Sequence, residues 1–166
     1  MARLDDAPAI REIYNAEVTG STVTFDLVPR TLAEQQEWLT ARSGAHAVIV
    51  AEAAGDVTGF ASLSPFRDRP AYSTTVESSI YVRTDQRGEG VGRLLLERLV
   101  ALATDHGFHT MIARIVGGHE ASIVLHQRGG FDHVGTEREV GRKFGNWLDV
   151  VVMQRLLRSS PPPPDT

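Results

Sequence analysis

The chain has 166 residues, of which 42% are hydrophobic and 23% are charged, so it has the size and composition of one globular domain. Its formal net charge of -4 argues against a general nucleic-acid-binding protein, because neutralising phosphates needs clustered lysine and arginine. The absence of cysteine excludes disulfides, thiolate metal sites and a cysteine nucleophile, and it fits a reducing compartment.

The first 41 residues predict two helices. Acidic capping candidates, a proline in the first turn and apolar residues at helical spacing favour a helix that ends at Gly20. Thr31 and Glu34 form a capping-box pattern, which predicts a second helix from Leu32 to about Ala41. The residues that support the first helix are Asp5, Asp6, Pro8, Ile10, Ile13, Tyr14 and Val18.

Three strands are predicted next. Residues 47–53 and 57–63 are short apolar runs on either side of Ala54-Gly55-Asp56, which predicts a hairpin. Residues 64–74 contain two prolines and predict a loop. Residues 75–82 alternate in polarity and are rich in β-branched side chains, so they predict a third strand.

The second half of the chain alternates helices and strands. A glycine-rich turn at residues 87–92 opens an amphipathic helix that reaches about His106. The remaining predicted elements are a strand at 111–116, a short helix at 120–128 and strands at 131–140 and 147–157. Helices between strands imply some parallel pairing and helical cover, so the predicted fold class is α/β, of the α+β kind.

We predict one domain at residues 1–158, followed at 159–166 by a tail with four consecutive prolines that is of polyproline type or disordered. The chain shows no apolar run that could span a bilayer and no signal-like segment. The expected location is therefore the cytoplasm, with no membrane partner.

The glycine turn can bind an anion. It lies between a strand and a helix N-terminus, where backbone N–H groups lack helical partners, and Arg87 and Arg93 add positive charge. It lacks the lysine of a nucleoside-triphosphate P-loop, and its G-x-G-x-G spacing differs from the dinucleotide fingerprint. Taken alone, the turn is equally consistent with a tight strand-to-helix connection that binds no ligand.

The motif Arg87-Gly88-Glu89-Gly90-Val91-Gly92 resembles the acetyl-CoA signature Q/R-x-x-G-x-G/A of the GCN5-related N-acetyltransferase (GNAT) superfamily. The resemblance extends from Arg3 to about Leu157 and is closest to the phosphinothricin and methionine sulfone or sulfoximine acetyltransferases. It implies the GNAT fold, with a mixed, mostly antiparallel central sheet, helices on both faces and a splayed parallel strand pair at the cofactor site. The segments that carry it are residues 21–25, 75–82, 122–126, 130–131 and 143–149.

The resemblance implies an acyltransferase that moves an acetyl group from acetyl-CoA to the amine of a small amino-acid-like molecule, directly within a ternary complex. Acetyl-CoA is the expected co-substrate, and the histidines do not form a metal-ligand set, so no metal is expected. The predicted cofactor-binding residues are Tyr81, Val82, Arg87, Gly88, Glu89, Gly90, Val91, Gly92, Arg93, His119 and Ser122. The superfamily often has asparagine where this chain has His119.

Three catalytic roles follow from the chemistry. The amine must lose a proton, and Glu77 is the candidate base, since its place matches the proposed base of the resembling enzymes; the alternative is a solvated edge carboxylate. The resemblance places the oxyanion donor near Tyr81 and Val82. His126, where many superfamily members have tyrosine, is either the proton donor to the leaving thiolate or a packing histidine.

The substrate pocket needs a cationic group for a carboxylate, and arginine suits that task. Arg67 and Arg69 are candidates, although both could be solvated loop cations. The candidate pocket walls, which could equally be core residues, are Phe25, Tyr72, Thr75 and Trp147. Some phosphinothricin enzymes carry histidines at the positions of Phe144 and Leu148, so this chain looks more like the methionine sulfone branch.

Two other functions stay open. One is a peptide or protein N-acetyltransferase on the same fold, and the other is a non-catalytic acyl-CoA-binding sensor. The presence of Glu77 and His126 beside the glycine turn argues against the sensor. Relatives with this C-terminal pattern are often dimers, so the resemblance also implies a homodimer, whose pocket can include residues of the partner chain.

Overall fold

The computed structural model describes residues 1–42 and 44–157. The chain begins with a short 3-10 turn, which leads into helix α1 (Ala7–Gly20), and helix α2 (Leu32–Thr40) follows. Both helices confirm the prediction. The N–H of Glu34 donates to the Thr31 hydroxyl at 3.2 Å, which completes the expected cap of α2. Asp6, in contrast, does not cap α1, because its carboxylate accepts the N–H of Arg3 in the preceding turn.

Six strands form one sheet in the order β1-β2-β3-β4-β6-β5. The strands are β1 (Val48–Ala53), β2 (Asp56–Pro65), β3 (Thr75–Val82), β4 (Thr110–Val116), β5 (Asp132–Lys143) and β6 (Asn146–Leu156), and the later helices are α3 (Val91–Asp105) and α4 (Glu120–Arg128). Only the β3–β4 pair is parallel within this described sheet; the other four neighbouring pairs are antiparallel. The mixed, mostly antiparallel sheet of the prediction is therefore confirmed.

Helices cover both faces of the sheet, as predicted. Alternation along β2 shows this directly, since Phe60 packs with α1 and α2 while Ala61 and Leu63 pack with α3. The larger cluster lies under α3 and includes the fully buried Leu99 and Met111. A second cluster on the other face is built around α1. These two layers hold the sheet between the helices.

Two boundaries differ from the sequence prediction by more than one residue. β5 continues to Lys143 instead of ending near residue 140, because two irregularities let it bend and a two-residue turn at Phe144-Gly145 connects it directly to β6. Phe144 adopts a φ of 51°, which is unusual for a bulky residue, so the sequence did not indicate a turn at this position. β2 likewise extends to Pro65 and shortens the predicted loop. The predicted tail at 159–166 lies outside the described residues.

No helix among the described residues is both long and apolar enough to cross a membrane.

Candidate active site

The parallel strands β3 and β4 separate halfway along their length. Their register runs from Thr75 opposite Thr110 to Ser78 opposite Ala113 and stops there. Beyond that point β3 still pairs with β2 and β4 still pairs with β6. The sheet therefore opens into a wedge between residues 79–82 and residues 114–116, and a cavity of about 750 Å³ begins at this wedge.

The cavity is enclosed by the glycine turn, the first turn of α3, the separated halves of β3 and β4, and α4. It brings together ten of the eleven predicted cofactor-binding residues. The predicted residues that line it are Tyr81, Val82, Arg87, Gly88, Gly90, Val91, Gly92, Arg93, His119, Ser122 and also His126. Glu89, the eleventh, is exposed to solvent and is not among the residues that line the cavity.

The glycines of the turn serve different purposes. Gly88 and Gly90 have φ of 82° and 84°, a left-handed conformation that other residues rarely adopt. Gly90 is also the N-cap residue of α3 and has no side chain to cap the helix. The first N–H groups of α3 are therefore left for a ligand or solvent. At Gly92 a Cβ would lie 3.3 Å from Leu125, so this glycine instead allows α3 to approach α4. The turn thus fits a diphosphate, which helix N-termini bind well.

Both arginines of the turn have carboxylate partners. Arg87 forms an ion pair with Glu17 of α1, whose side chain is 7% exposed, and its Nε donates to the Val82 carbonyl at 3.4 Å. Arg93 pairs with Glu97 one helical turn away at 2.7 Å. Backbone N–H groups are therefore the anion-binding feature with the fewest competing partners. Glu17 also lines the cavity and was missed by the sequence analysis.

The backbone of β3 points alternately toward β2 and toward the wedge. The Arg83 N–H donates to the Thr58 carbonyl at 2.9 Å, so the backbone groups of Arg83 and of every second residue before it point toward β2. The N–H of Tyr81 therefore points toward β2, whereas the N–H groups of Ile80 and Val82 point toward the wedge. This alternation of the N–H groups favours Val82 as a donor into the cavity. It also indicates Ile80, which was not among the predicted donors.

Glu77 lies on the opposite face of β3 from α3, in a half-buried position. Burial raises the pKa of its carboxyl; the nearby Arg114 opposes the rise and Glu137 adds to it. Arg114 and Glu137 form an ion pair with each other. No local pattern in the sequence indicates this flanking pair, because β4 and β5 are brought near each other only through β6.

His126 is 4% exposed and its ring stands edge-on to Phe131, with 5.0 Å between centroids. Its Nδ1 lies 2.8 Å from the Ser122 carbonyl oxygen, which can only accept, so Nδ1 carries the proton and Nε2 of the neutral ring has none. Burial lowers the pKa of His126, and the bond to Ser122 partly opposes this. The geometry therefore favours a neutral ring without a proton to give at Nε2.

None of the predicted substrate residues lines the cavity at the wedge. Phe25 is 38% exposed and its ring covers Gly141 of β5, beyond the end of β4. Arg67 stacks near Tyr72, with 5.5 Å from its guanidinium carbon to the ring centroid, and this loop precedes β3. Arg69 and Thr75 belong to the same end of β3. Trp147 is 61% exposed beside Arg142 on the β5–β6 hairpin.

Within residues 1–42 and 44–157, no group of three or more histidine, cysteine or acidic side chains is arranged to hold a metal ion.

The known proteins that this chain resembles are acetyltransferases. Residues 1–152 match the profile of a family described as acetyltransferase (GNAT) domain. The chain is 43% identical over 165 residues to the L-methionine sulfoximine/L-methionine sulfone acetyltransferase of Pseudomonas paraeruginosa, with 96% of each protein covered. It is 40% identical over 157 residues to the phosphinothricin N-acetyltransferase of Streptomyces coelicolor, with 92% of each covered. A GNAT superfamily phosphinothricin acetyltransferase from Sinorhizobium meliloti, solved in complex with AcCoA, superimposes with a TM-score of 0.91 at 40% identity, over 94% of this chain and 85% of that one.

Proposed function

This chain belongs to the acetyltransferase (GNAT) family, and we propose that it transfers the acetyl group of acetyl-CoA to the amine of a small amino-acid-like molecule. The proposed substrate class is that named for its relatives, namely methionine sulfone, methionine sulfoximine and phosphinothricin. The observation that carries the proposal is the wedge between β3 and β4, because it connects the cavity at the glycine turn with the sheet face that bears Glu77.

The cavity suits acetyl-CoA in size and in chemistry. Its volume of about 750 Å³ lies within the usual range of ligand pockets. In this proposal the N–H groups at Gly88, Gly90 and the start of α3 hold the diphosphate. Acetyl-CoA supplies the acetyl group activated as a thioester. The wedge admits the acetyl end of that molecule, with Ile80 and Val82 N–H groups as donors to its carbonyl oxygen.

The amine approaches from the Glu77 face. Glu77 and Ile80 are three residues apart, about 10 Å along an extended strand, which leaves room for an amine and a water molecule between carboxylate and wedge. Glu77 accepts the proton of the amine, through that water, while the nitrogen attacks the thioester carbonyl carbon. The C–S bond then breaks, and coenzyme A leaves as a thiolate that takes its proton from solvent. The raised pKa of Glu77 makes it a stronger base than an exposed glutamate. With no cysteine in the chain, direct transfer is the simplest route.

The substrate carboxylate is assigned to the arginine loop that precedes β3. Arg67 and Arg69 are both exposed and neither forms an ion pair within the described residues, so both are available to an anion. Tyr72 and Thr75 border this end of the Glu77 face, and Phe25 borders the other end. An amino acid lying along the face would thus have its amine near Glu77.

We propose in addition that the chain forms a homodimer through the β5–β6 region. Four apolar side chains there are more than half exposed, namely Val134, Val140, Phe144 and Trp147. These four residues lie on one hairpin, and large exposed apolar patches are typical of protein interfaces. Light scattering after size exclusion tests this directly; a monomer at micromolar concentration would contradict it.

A thiol-release assay tests the function. The acceptors are L-methionine sulfone, L-methionine sulfoximine, L-phosphinothricin, an N-terminal alanine peptide and a lysine peptide, with N-acetyl-methionine sulfone as the blocked control. We expect turnover with the free amino acids and none with the blocked control. Turnover with peptides alone would show a peptide acetyltransferase. Acetyl-CoA binding without turnover on any amine would show a sensor.

A further inference from the structure

Lys143, the last residue of β5, is the only lysine in the chain and is 2% exposed. Its ammonium nitrogen donates to the Thr24 carbonyl at 2.8 Å and to the Glu17 carbonyl at 3.4 Å. Among the described residues, no carboxylate oxygen lies within 4.0 Å of it. A buried cation held by two backbone carbonyls is unusual, since lysine is rarely buried unless paired.

The end of α1 explains this placement. The Glu17 carbonyl is one of the last in the helix, where the helix dipole is negative and a cation is favoured. The same carbonyl accepts the N–H and the hydroxyl of Ser21. A compact ammonium can reach both Glu17 and Thr24, whereas the wide planar guanidinium of arginine has a different geometry. Lys143 therefore ties β5 to the end of α1 and to residues 21–26, which we call the pocket loop.

The pocket loop lies beside Tyr81 on the Glu77 face. The Thr24 hydroxyl is 2.9 Å from the Tyr14 hydroxyl, and the Tyr14 ring stands edge-on to the Tyr81 ring with 5.2 Å between centroids. Tyr81 and Glu77 are four residues apart on one strand, so their side chains share a face. The loop that Lys143 holds is thus one wall of the space where the amine would lie.

Gly141 completes the support. It lies two residues before Lys143 on β5, and a Cβ there would overlap the Phe25 ring. Glycine at this position therefore lets the Phe25 ring lie against the strand. Lys143 fixes the backbone at Thr24, and Gly141 fixes the ring of the next residue.

We propose that Lys143 is a positioning residue for the amine pocket, and that Lys143 and Gly141 together set the position of Phe25. The inference rests on the proposed function, since it assigns Phe25 to the wall of the amine site. Lys143 acts through the pocket loop and not on the reacting atoms. Its loss should change the amine KM and leave the acetyl-CoA KM and affinity nearly unchanged.

Lys143→Met tests this, because methionine keeps most of the side-chain volume and removes the charged donor. We expect the KM for L-methionine sulfone to rise about tenfold or more, as loss of a hydrogen bond to a charged group would produce. The KM for acetyl-CoA should change less than about threefold. Arg98→Met is the control, because Arg98 is exposed on α3 and does not line the cavity. Hydrogen exchange of peptides covering residues 21–31 should quicken in Lys143→Met and not in Arg98→Met.

If Lys143→Met fails to fold, Lys143→Arg is measured in its place, with the same expected rise in the amine KM, because a guanidinium has a different geometry from an ammonium. A double-mutant cycle tests the roles of Gly141 and Phe25 separately. Gly141→Ala should raise the amine KM in the wild-type background by displacing the Phe25 ring. In a Phe25→Ala background the same change should have little further effect, because no ring remains to be displaced. Independent effects of the two substitutions on KM would overturn the assignment.

The two proposals fail in different ways. If the wild-type chain acetylates no free amino acid, the proposed function is wrong whatever Lys143 does. If the wild type turns over L-methionine sulfone and Lys143→Met keeps its amine KM and its exchange rates in the pocket loop, the positioning role is wrong while the function stands.

Discussion

The Nε2 atom of His119 lies 3.0 Å from the hydroxyl oxygen of Thr22, although the two residues are 97 positions apart. Thr22 belongs to the pocket loop and His119 immediately precedes α4 on the wall of the cavity. The contact therefore joins a wall of the amine side to a wall of the cofactor side. The histidine in this contact, His119, stands where the superfamily often has asparagine.

Thr22→Val tests the value of this contact, since valine keeps the branched shape and removes the hydroxyl. A neutral hydrogen bond contributes about 1 kcal/mol, so we expect acetyl-CoA to bind about fivefold more weakly by calorimetry. Thr19→Val is the control, because the Thr19 hydroxyl bonds back to Asn15 within α1. Equal affinities in the two variants would show that the Thr22–His119 contact does not support the cavity.

Gly90→Ala should damage the diphosphate site through the backbone. An alanine held in the left-handed conformation costs about 1–2 kcal/mol, so the variant should lose stability or shift its backbone. Gly55→Ala is a close match, because Gly55 has φ of 88° and lies in the β1–β2 hairpin. Both variants should melt at lower temperature, and only Gly90→Ala should also bind acetyl-CoA more weakly. If Gly90→Ala bound acetyl-CoA as tightly as the wild type, the glycine turn would not be part of the binding site.

Glu77→Gln should reduce kcat about 100-fold or more, as loss of a general base does, while the calorimetric affinity for acetyl-CoA stays near the wild-type value. Glu52→Gln on β1 is the control, since Glu52 is exposed there. A variant at Glu77 with full kcat would exclude this residue as the base.

The pH dependence follows from the same residue. A base must be deprotonated, and burial raises the pKa of Glu77 above its ordinary value, so kcat/KM should fall as pH drops through that raised pKa. Arg114 lowers this pKa, and Arg114→Met should therefore move the acid limb to higher pH. Glu137→Gln should move it to lower pH, because Glu137 raises the pKa. Shifts in the reversed directions would show that another group controls the limb.

His126→Gln should keep kcat within about tenfold of the wild type, because the neutral ring has its proton at Nδ1, bonded to the Ser122 carbonyl, and not at Nε2. A general acid contributes about 100-fold to 10,000-fold, so a loss in that range would restore the catalytic interpretation. A wild-type kcat that falls as the pH rises above the lowered pKa of His126 would also support a role for His126 as the general acid.

Local signals in the sequence predicted much of this structure. The capping box at Thr31 and Glu34 gave the start of α2, and the hairpin turn at Ala54-Gly55 gave β1 and β2. The glycine turn was also predicted, because the left-handed φ of Gly88 and Gly90 and the uncapped helix are local features. Such features depend on a few neighbouring residues.

Long-range partners could not be read from the chain. Arg87 looked like a free phosphate ligand, but it pairs with Glu17, 70 residues earlier. Lys143 was only the first residue of a segment that carries the family resemblance, but it is buried and donates to the carbonyl of Thr24, 119 positions earlier in the chain. The partners of these two residues depend on how α1 packs against the sheet, and the spacing of residues in the sequence does not indicate that packing.

Calorimetric titration of the wild-type chain with acetyl-CoA, and in parallel with S-acetyl-pantetheine, tests the central claim most directly. S-acetyl-pantetheine keeps the thioester and lacks the diphosphate that the glycine turn is assigned to hold. We predict one acetyl-CoA bound per chain and S-acetyl-pantetheine bound at least about 100-fold more weakly, since several charge-assisted hydrogen bonds are lost. No heat with acetyl-CoA, or equal affinity for the two compounds, would contradict the assignment of this cavity.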